Sequence, residues 1–160
     1  MKNTTLCYLE QDGCYLLLHR IKKENDLNKD KWIGVGGKLE ENESPEDCMR
    51  REVLEETGLT VTCWRYCGIV TFVSDRYEGE YMHLFHITGF RGSLKDCDEG
   101  VLEWVPHEKF RQLPQWEGDQ IFIRLMEKAV PFFSLKLTYE GEQLINVALN
   151  GADVDKKTLL

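Results

Sequence analysis

The sequence predicts an α/β fold in which a mixed β-sheet lies between helices. Stretches rich in β-branched and aromatic residues alternate with turn signals, and three segments have the capping residues or the apolar spacing of helices. The 160 residues are 42% hydrophobic and 30% charged, which is ordinary for a globular protein. We expect one domain over residues 1–150 and a flexible tail over residues 151–160.

The predicted sheet begins with a hairpin, in which residues 4–9 and 14–20 flank the turn sequence EQDG. A polar loop over residues 21–31 follows, and we expect it to cover one edge of a functional site. The remaining strands are predicted at 32–37, 60–73, 80–90, 102–105, 132–139 and 143–149.

Three helices are predicted between these strands. The first spans about residues 45–57, because Ser44 is a good N-cap, Pro45 fits the first helical position and Gly58 favours a left-handed end. A short second helix is predicted over residues 106–113. The third, at about 117–128, has apolar residues at helical spacing, namely Ile121, Phe122, Leu125 and Met126.

Three glutamates lie close together on the first predicted helix. Glu56 is four residues after Glu52, and Glu55 is three residues after it, so all three share one face. Like charges at this spacing repel, which costs stability unless a cation neutralises them. Clustered carboxylate oxygens suit Mg²⁺ or Mn²⁺, which also bind substrate phosphates. The alternative is an acidic helix face that is simply solvated.

The other faces of this helix have separate predicted roles. Cys48, Met49 and Val53 lie opposite the acids and are expected to pack on the sheet. Arg51 projects about 100° away from its neighbour Glu52. We expect its long side chain to reach Glu43 and brace the preceding loop against the helix.

Residues Gly37 to Leu59 match one long pattern, G-x5-E-x7-R-E-U-x-E-E-x-G-U, in which U is apolar. The chain therefore resembles the Nudix hydrolases, which cleave a diphosphate linkage in a nucleoside diphosphate joined to another group. The resemblance implies a Nudix-type α/β/α sandwich with a mixed sheet and a Mg²⁺ cofactor, with Mn²⁺ as an alternative. It also implies that Glu52, Glu56 and the Gly37 carbonyl bind the metal, with Glu55 as a ligand or near neighbour.

Hydrolysis of this kind needs a carboxylate that takes a proton from the attacking water. The family uses a glutamate of the box or one outside it. Glu99 is our candidate outside the box, as a catalytic residue and metal ligand, because DEGVLEWV resembles the stretch in which related hydrolases place an acid before a Trp-Val strand. Glu103 is the alternative, and the sequence leaves open whether Glu52 or Glu99 is the base.

Two cations are candidates for binding the substrate phosphates. Arg20 ends the strand YLLLHR, where many chains of this family have a phosphate-binding arginine. Lys38 follows the double glycine of the box, as in the nucleotide-sanitising branch. The alternative for each is an ordinary surface cation.

Other stretches, among them GIVTF and LPQWEGDQ, resemble the MutT-like 8-oxo-dGTP diphosphatases. That resemblance implies that Trp116 and Asp119 hold the base and that Phe72 and Thr5 line the same pocket; the alternatives are core residues and a helix-capping aspartate. Ile33 departs from the animal-type members, which have there an asparagine that contacts the purine edge. Isoleucine can neither donate nor accept a hydrogen bond, so this chain must contact the base through other groups or prefer another nucleotide.

Charge and cysteine content narrow the expected partners. The net charge of −8 disfavours nonspecific binding to nucleic acid or anionic membrane. No apolar run approaches the roughly 18 residues of a membrane span, and the N-terminus lacks the pattern of a signal peptide. The six cysteines contain no CxxC pair, so we expect reduced thiols in a cytoplasmic protein.

These observations predict a Mg²⁺-dependent nucleoside triphosphate pyrophosphohydrolase, monomeric or homodimeric, that releases a nucleoside monophosphate and pyrophosphate. A nucleotide-pool sanitising 8-oxo-dGTP diphosphatase is the favoured specificity. One alternative is a Nudix hydrolase for ADP-ribose, a pterin triphosphate or a nucleotide sugar. A less favoured alternative is a non-catalytic nucleotide sensor, since such proteins usually lose carboxylates of the box and this chain has lost none.

Overall fold

The computed structural model describes residues 1–21 and 28–160. Its helices are α1 (Pro45–Thr57), α2 (His107–Phe110) and α3 (Asp119–Glu127), and a 3-10 turn covers Lys156–Thr158. Its strands are β1 (Lys2–Gln11), β2 (Cys14–His19), β3 (Trp32–Ile33), β4 (Thr60–Ser74), β5 (Glu80–Arg91), β6 (Val101–Pro106), β7 (Phe133–Glu140), β8 (Gln143–Leu149) and β9 (Ala152–Val154). Across the described ranges, no helix is long and apolar enough to cross a bilayer.

The nine strands of the described residues form a mixed sheet in the order β3-β2-β1-β5-β4-β7-β8-β9, and β6 pairs with β2. The β1–β5 and β4–β7 pairs are parallel, and the other pairs are antiparallel. The predicted hairpins β1–β2, β4–β5 and β7–β8 are therefore confirmed, as is the mixed sheet.

Alternate residues of the central strands pack on opposite faces of the sheet. On β2, Tyr15 and Leu17 join an apolar cluster that includes residues of α2 and α3. Leu16 and Leu18 join a second cluster, which includes residues of α1. Helices therefore cover both faces, and strands buried on both sides are apolar almost throughout.

Helix α1 has the bounds that the sequence predicts. The Ser44 hydroxyl accepts a hydrogen bond from the Asp47 amide at 3.0 Å, and the Asp47 carboxylate accepts one from the Ser44 amide at 3.0 Å. Gly58 ends the helix at φ +81°. Reciprocal capping and a left-handed glycine together satisfy both ends, so the position of α1 is fixed locally.

Strands β1 and β2 pair only beside the turn that joins them. Their register contains Glu10 opposite Tyr15 and Gln11 opposite Cys14, and no further pair. Farther along, β1 is bridged to the segment at 35–38, whereas β2 pairs with β3 and β6. The two strands thus diverge, and the gap between them becomes the functional cavity.

The strand predicted over residues 32–37 is shorter in the structure, where β3 covers only Trp32–Ile33. The chain then crosses to β1 through Gly36, whose φ is +150°. A Cβ on Gly36 would lie 2.0 Å from the Thr5 carbonyl oxygen. Only glycine therefore permits this close approach, which ends the regular strand.

The C-terminal segment also differs from its prediction. Residues 151–160 were expected to form a flexible tail, but β9 pairs with β8 and the 3-10 turn follows it. This expectation is wrong for Ala152–Val154, because the open edge of β8 offers backbone hydrogen-bond partners. The short helix predicted over 106–113 ends at Phe110. All six cysteines are free thiols, as predicted.

Candidate active site

A cavity of about 280 Å³ occupies the gap between β1 and β2. Its lining falls into two groups of different chemistry. The first, which we call the acidic end, contains Gly37, Glu56 and Glu99. The second, which we call the aromatic end, contains Phe72, Trp116, Asp119 and Tyr139.

Arg51 braces the acidic end. Its Nε and Nη2 donate to the two Glu43 carboxylate oxygens at 2.7 and 2.8 Å, so the predicted contact between loop and helix is confirmed. The same guanidinium also donates to Glu52 at 2.8 Å and to Glu55 at 3.2 Å, because its long side chain folds back across the helix surface. This pairing lowers the pKa of Glu43 to about 2.

Glu56 is the most deeply buried acid of this group. Its carboxylate accepts a hydrogen bond from the Gly36 amide at 2.8 Å. Burial above all, with the nearby charges of Glu99 and Glu52, raises its pKa to about 8, while the Gly36 amide opposes the shift. Burial also raises the pKa of Glu52, against the opposing hydrogen bond from Arg51.

The three box glutamates differ in exposure. The Glu52 side chain is 16% exposed and packs against Gly37, where an added Cβ would lie 2.4 Å from its Cδ. The Glu55 side chain is 58% exposed, and neither Glu55 nor Glu52 is among the residues that line the cavity. The structure thus brings Glu52, Glu56 and Glu99 together beside Gly37 and leaves Glu55 at the rim.

These oxygens suit a hard divalent cation, although no three acid, imidazole or thiol side chains of the described residues already form a ligand cluster. The acids are instead held by Arg51 and the Gly36 amide. Burial, the main cause of the raised pKa values of Glu52 and Glu56, disfavours their ionised forms, and the neighbouring acids add to that effect. A cation that binds oxygen ligands would favour the ionised forms.

Arg20 and Glu99 form an ion pair in the cavity wall, with Nη1 2.8 Å from Oε2. The Arg20 side chain is 14% exposed, so it is not an ordinary surface cation. Lys38 also lines the cavity but is exposed. Glu103 is exposed opposite Leu17 on the β2–β6 pair and does not line the cavity. The structure therefore favours Glu99 over Glu103.

Trp116 is the centre of the aromatic end and is only 6% exposed. Its Nε1 donates to the Asn28 side-chain oxygen at 2.7 Å, and the Lys31 ammonium lies 4.8 Å from its ring centroid. Phe72 and Tyr139 meet it edge-on at 5.5 and 4.9 Å. Trp116 is thus both a core residue and part of the cavity wall.

Asp119 lies beside Trp116 and is 6% exposed. The alternative of a helix-capping role is wrong, because Gly118 is the N-cap of α3 and has no side-chain cap bond. Burial raises the pKa of Asp119 to about 8, while the Lys31 charge opposes this shift. Its carboxyl has no hydrogen bond to any described side chain, and the raised pKa favours the neutral acid in the cavity wall.

Two further residues that the sequence analysis singled out, Thr5 and Ile33, also line the cavity. The Thr5 hydroxyl lies 3.3 Å from the Gly37 nitrogen and 3.4 Å from its carbonyl oxygen, so Thr5 belongs with the acidic end.

Sequence reasoning missed several cavity residues. Tyr139 comes from β7, and nothing near it in the sequence indicates a site. Asn28 and Lys31 belong to the loop that was expected to cover one edge of the site, and both contact Trp116; residues 22–27 of that loop lie outside the described residues. The other missed lining residues are Lys2, Thr4, Leu6, Leu18, Gly34, Gly36, Glu80, Met82 and Leu137.

Comparison with known protein families identifies the family of the chain. The family model of the NUDIX domain matches residues 2–126, which include the box, the Arg20–Glu99 pair and the Trp116–Asp119 segment. The chain belongs to the Nudix hydrolase family. The family, the fold class and the hydrolase class predicted from the box are therefore confirmed.

Relatives of this Nudix hydrolase differ in the nucleotides they are named for. An oxidized purine nucleoside triphosphate hydrolase of Danio rerio is 30% identical over 90% of this chain and 90% of its own. A CTP pyrophosphohydrolase of Escherichia coli is 31% identical over 69% of this chain and 80% of its own. The crystal structure of a mutator MutT protein from Bacillus halodurans superposes with a TM-score of 0.79 at 25% identity, covering 94% and 98% of the two chains.

Proposed function

We propose that this Nudix hydrolase is a Mg²⁺-dependent nucleoside triphosphate pyrophosphohydrolase that releases a nucleoside monophosphate and pyrophosphate. The observation that carries the proposal is one continuous cavity with buried acids at one end and a buried aromatic and acid pair at the other. An extended nucleotide requires these two chemistries, for its phosphates and its base. We further propose that the enzyme acts in the cytoplasm, as a monomer or homodimer.

The acidic end would hold the cation. Glu52, Glu56, Glu99 and the Gly37 carbonyl would supply its oxygen ligands, with Glu55 at the rim. When bound, Mg²⁺ neutralises phosphate charge and polarises the attacking water. Arg51 keeps the box glutamates in place through its contacts with Glu43 and Glu52. A fixed ligand set is important, because Mg²⁺ demands nearly octahedral geometry.

The remaining chemistry belongs to side chains in and beside the cavity wall. Glu52, which packs against Gly37, or Glu99, which lines the cavity, would take the proton of the attacking water. Arg20 and Lys38 would bind the phosphates, since both cations line the cavity. To bind the substrate, Arg20 would either give up its ion pair with Glu99 or contact Glu99 and a phosphate at the same time.

The aromatic end would hold a base, and oxidised purine deoxynucleotides are our favoured substrates. Trp116 and Phe72 offer ring surface for stacking, and Asp119 offers a hydrogen bond. The 30% identical relative named for oxidised purine nucleotides supports this choice. Ile33 and the relative named for CTP favour a second candidate, in which the enzyme prefers another triphosphate.

The test is a panel of nucleotides with Mg²⁺, in which products are identified by mass. Release of monophosphate and pyrophosphate from 8-oxo-dGTP, faster than from CTP or dGTP, is the expected result. Faster cleavage of CTP would replace the purine specificity by the second candidate. Cleavage of ADP-ribose or a nucleotide sugar, without cleavage of any triphosphate, would reject the proposal.

A further inference from the structure

A carboxylate of the sheet lines the cavity outside its acidic and aromatic ends. Glu80, the first residue of β5, is one of the lining residues, and its side chain is 14% exposed. Its Oε2 accepts a hydrogen bond from the Thr4 hydroxyl at 2.9 Å, and the Lys2 ammonium lies 3.4 Å from its Oε1. Lys2 and Thr4 line the cavity as well. These side chains form a polar cluster that the active-site chemistry described above does not use.

The partners of Glu80 fix its carboxylate and leave part of it open to a ligand. An ionised carboxylate has about four sites that accept hydrogen bonds, two on each oxygen, and Thr4 and Lys2 use one on each. Both partners come from β1, which pairs in parallel with β5 and places Lys2 directly opposite Glu80. The carboxylate is thus held from the β1 side, and one acceptor site on each oxygen is left for a molecule in the cavity.

Glu80 lies beside the aromatic end. It pairs with Phe72 on the antiparallel strand β4. Side chains directly opposite in such a pair lie on one face of the sheet, with Cβ atoms about 5 Å apart. Phe72 in turn meets the Trp116 ring edge-on at 5.5 Å. A flat ring that packs on Phe72 and Trp116 would therefore have one edge within reach of the Glu80 carboxylate.

The remaining acceptor sites of Glu80 suit a particular kind of base edge. An ionised carboxylate cannot donate, so it fits an edge made of N–H groups. Two adjacent N–H groups match its two oxygens best, as in bidentate contacts between a guanidinium and a carboxylate. Guanine presents such an edge, with a ring N–H beside an amino group. Hypoxanthine has the ring N–H alone, and adenine has an amino group beside a ring nitrogen that accepts.

We infer that Glu80 is a specificity-determining residue, whose carboxylate accepts hydrogen bonds from the N–H edge of a guanine-type base. The inference rests on the proposed function, since it places a base at the aromatic end. Oxidation of guanine at C8 leaves this edge unchanged, so Glu80 selects the guanine type and not its oxidised form. The contact also provides, from β5, a polar group of the kind that Ile33 lacks.

The experiment measures binding rather than turnover. Calorimetric titrations with Mg²⁺ compare the monophosphates of guanosine, deoxyguanosine, inosine and adenosine. The wild type should bind both guanine nucleotides most tightly. Glu80→Gln keeps the size of the side chain but replaces one acceptor oxygen by an amino group. It should weaken binding of both guanine nucleotides about tenfold, which equals about one hydrogen bond to a charged group, and should weaken adenosine monophosphate by less than about twofold.

Two variants serve as controls. Glu78→Gln makes the same change at an exposed residue two positions earlier and should keep all four affinities. Lys2→Met breaks the ion pair but leaves the Glu80 carboxylate, so it should keep the preference for guanine over adenine. The adenosine monophosphate affinity of each variant also shows whether its binding site is still folded.

Equal weakening of all four ligands by Glu80→Gln, or no change for any of them, would overturn the inference. So would a wild type without preference for guanine. A loss limited to the ribonucleotides would assign Glu80 to the sugar instead, and an equal loss of preference in Lys2→Met would assign the effect to the ion pair.

The proposed function fails separately from this inference. Selection of guanine by Glu80 without hydrolysis of any triphosphate would reject the enzyme reaction alone. Hydrolysis of triphosphates by a protein in which Glu80→Gln leaves the preference for guanine unchanged would reject the inference alone.

Discussion

The two ends of the cavity each bury one carboxyl whose pKa is raised to about 8, but their surroundings differ. Glu56 lies among other acids and accepts a hydrogen bond from the Gly36 amide. Asp119 lies among aromatic rings, has no side-chain partner, and is opposed only by the charge of Lys31. Burial is the main cause of both shifts, but the neighbouring groups differ, so the treatments that change the two pKa values should also differ. A bound cation should lower the raised pKa of Glu56. A hydrogen-bonding ligand should change the pKa of Asp119.

The largest expected effect is at the acidic end. Glu56→Gln should lower kcat about a hundredfold or more and weaken binding of Mg²⁺, because an amide supplies no negative charge to the cation. Steady-state kinetics over a range of Mg²⁺ concentrations measures both. Glu108→Gln is the control, since Glu108 is exposed on α2. Full activity in Glu56→Gln would show that this acid is not part of the metal site.

The second effect concerns the contact between Gly37 and Glu52. Gly37→Ala should lower kcat about tenfold, because the new Cβ would lie 2.4 Å from Glu52 Cδ and would displace that carboxylate. In the control Gly13→Ala, φ is +74° and nothing lies within 4 Å of the added Cβ. That variant should lose about 1 kcal/mol of stability and keep its kcat. Equal losses of activity in both variants would refute the steric explanation.

The third effect separates the two buried acids by their pH dependence. Between the ordinary pKa of Asp119, 3.8, and its value of about 8, the folded state holds a proton that the unfolded state releases. The free energy of unfolding should therefore fall as the pH rises through this window. Asp119→Asn removes this contribution, so above pH 8 the variant should be more stable than the wild type, by about 2–4 °C in Tm for each kcal/mol.

Thermal unfolding at pH 5 and pH 9, without Mg²⁺, measures this difference. Glu56 titrates in a similar window, so only the difference between wild type and variant isolates Asp119. Addition of Mg²⁺ should stabilise both proteins at pH 9 by relieving Glu56, and it should leave the difference between them intact. A difference that vanishes with Mg²⁺ would mean that the two ends are not independent.

The smallest effect concerns Lys31. Lys31→Met removes the cation over Trp116 and should raise the pKa of Asp119 further, by up to about one unit, because the opposing charge is lost. The pH dependence of Tm measures this shift. Glu142→Gln breaks the ion pair of Lys31 and keeps the cation. If Glu142→Gln shifts the profile as much as Lys31→Met, the ion pair rather than the charge of Lys31 controls Asp119.

The contrast between the ends also explains what the sequence could predict. The acidic end depends on consecutive turns of α1 and the loop before it, so the spacing of Glu43, Arg51 and Glu56 already implies its contacts. Local capping gave the bounds of α1 for the same reason. Glu99 was found because a short segment resembled related hydrolases, although only the Arg20 contact shows how it is placed.

The aromatic end depends on segments far apart in the chain. Phe72 on β4 and Tyr139 on β7 meet at Trp116 because these two strands are neighbours in the sheet, and Lys31 reaches the same ring from the loop before β3. Each of these residues has a second explanation as an ordinary core or surface residue, and no local pattern distinguishes the two. The β9 strand was missed similarly, because its partner is the edge of β8 and its three residues are too few to form a recognisable pattern.

The divergence of β1 from β2 has a consequence for how such an enzyme can change over evolutionary time. Most of the acidic end comes from one contiguous stretch of sequence, Gly37 to Glu56, joined by Arg20 and Glu99, whereas the residues of the aromatic end are scattered positions on the opposite wall. Substitutions in that wall leave the hydrolytic apparatus untouched. New substrates can therefore be acquired one side chain at a time, without loss of the ability to cut a pyrophosphate.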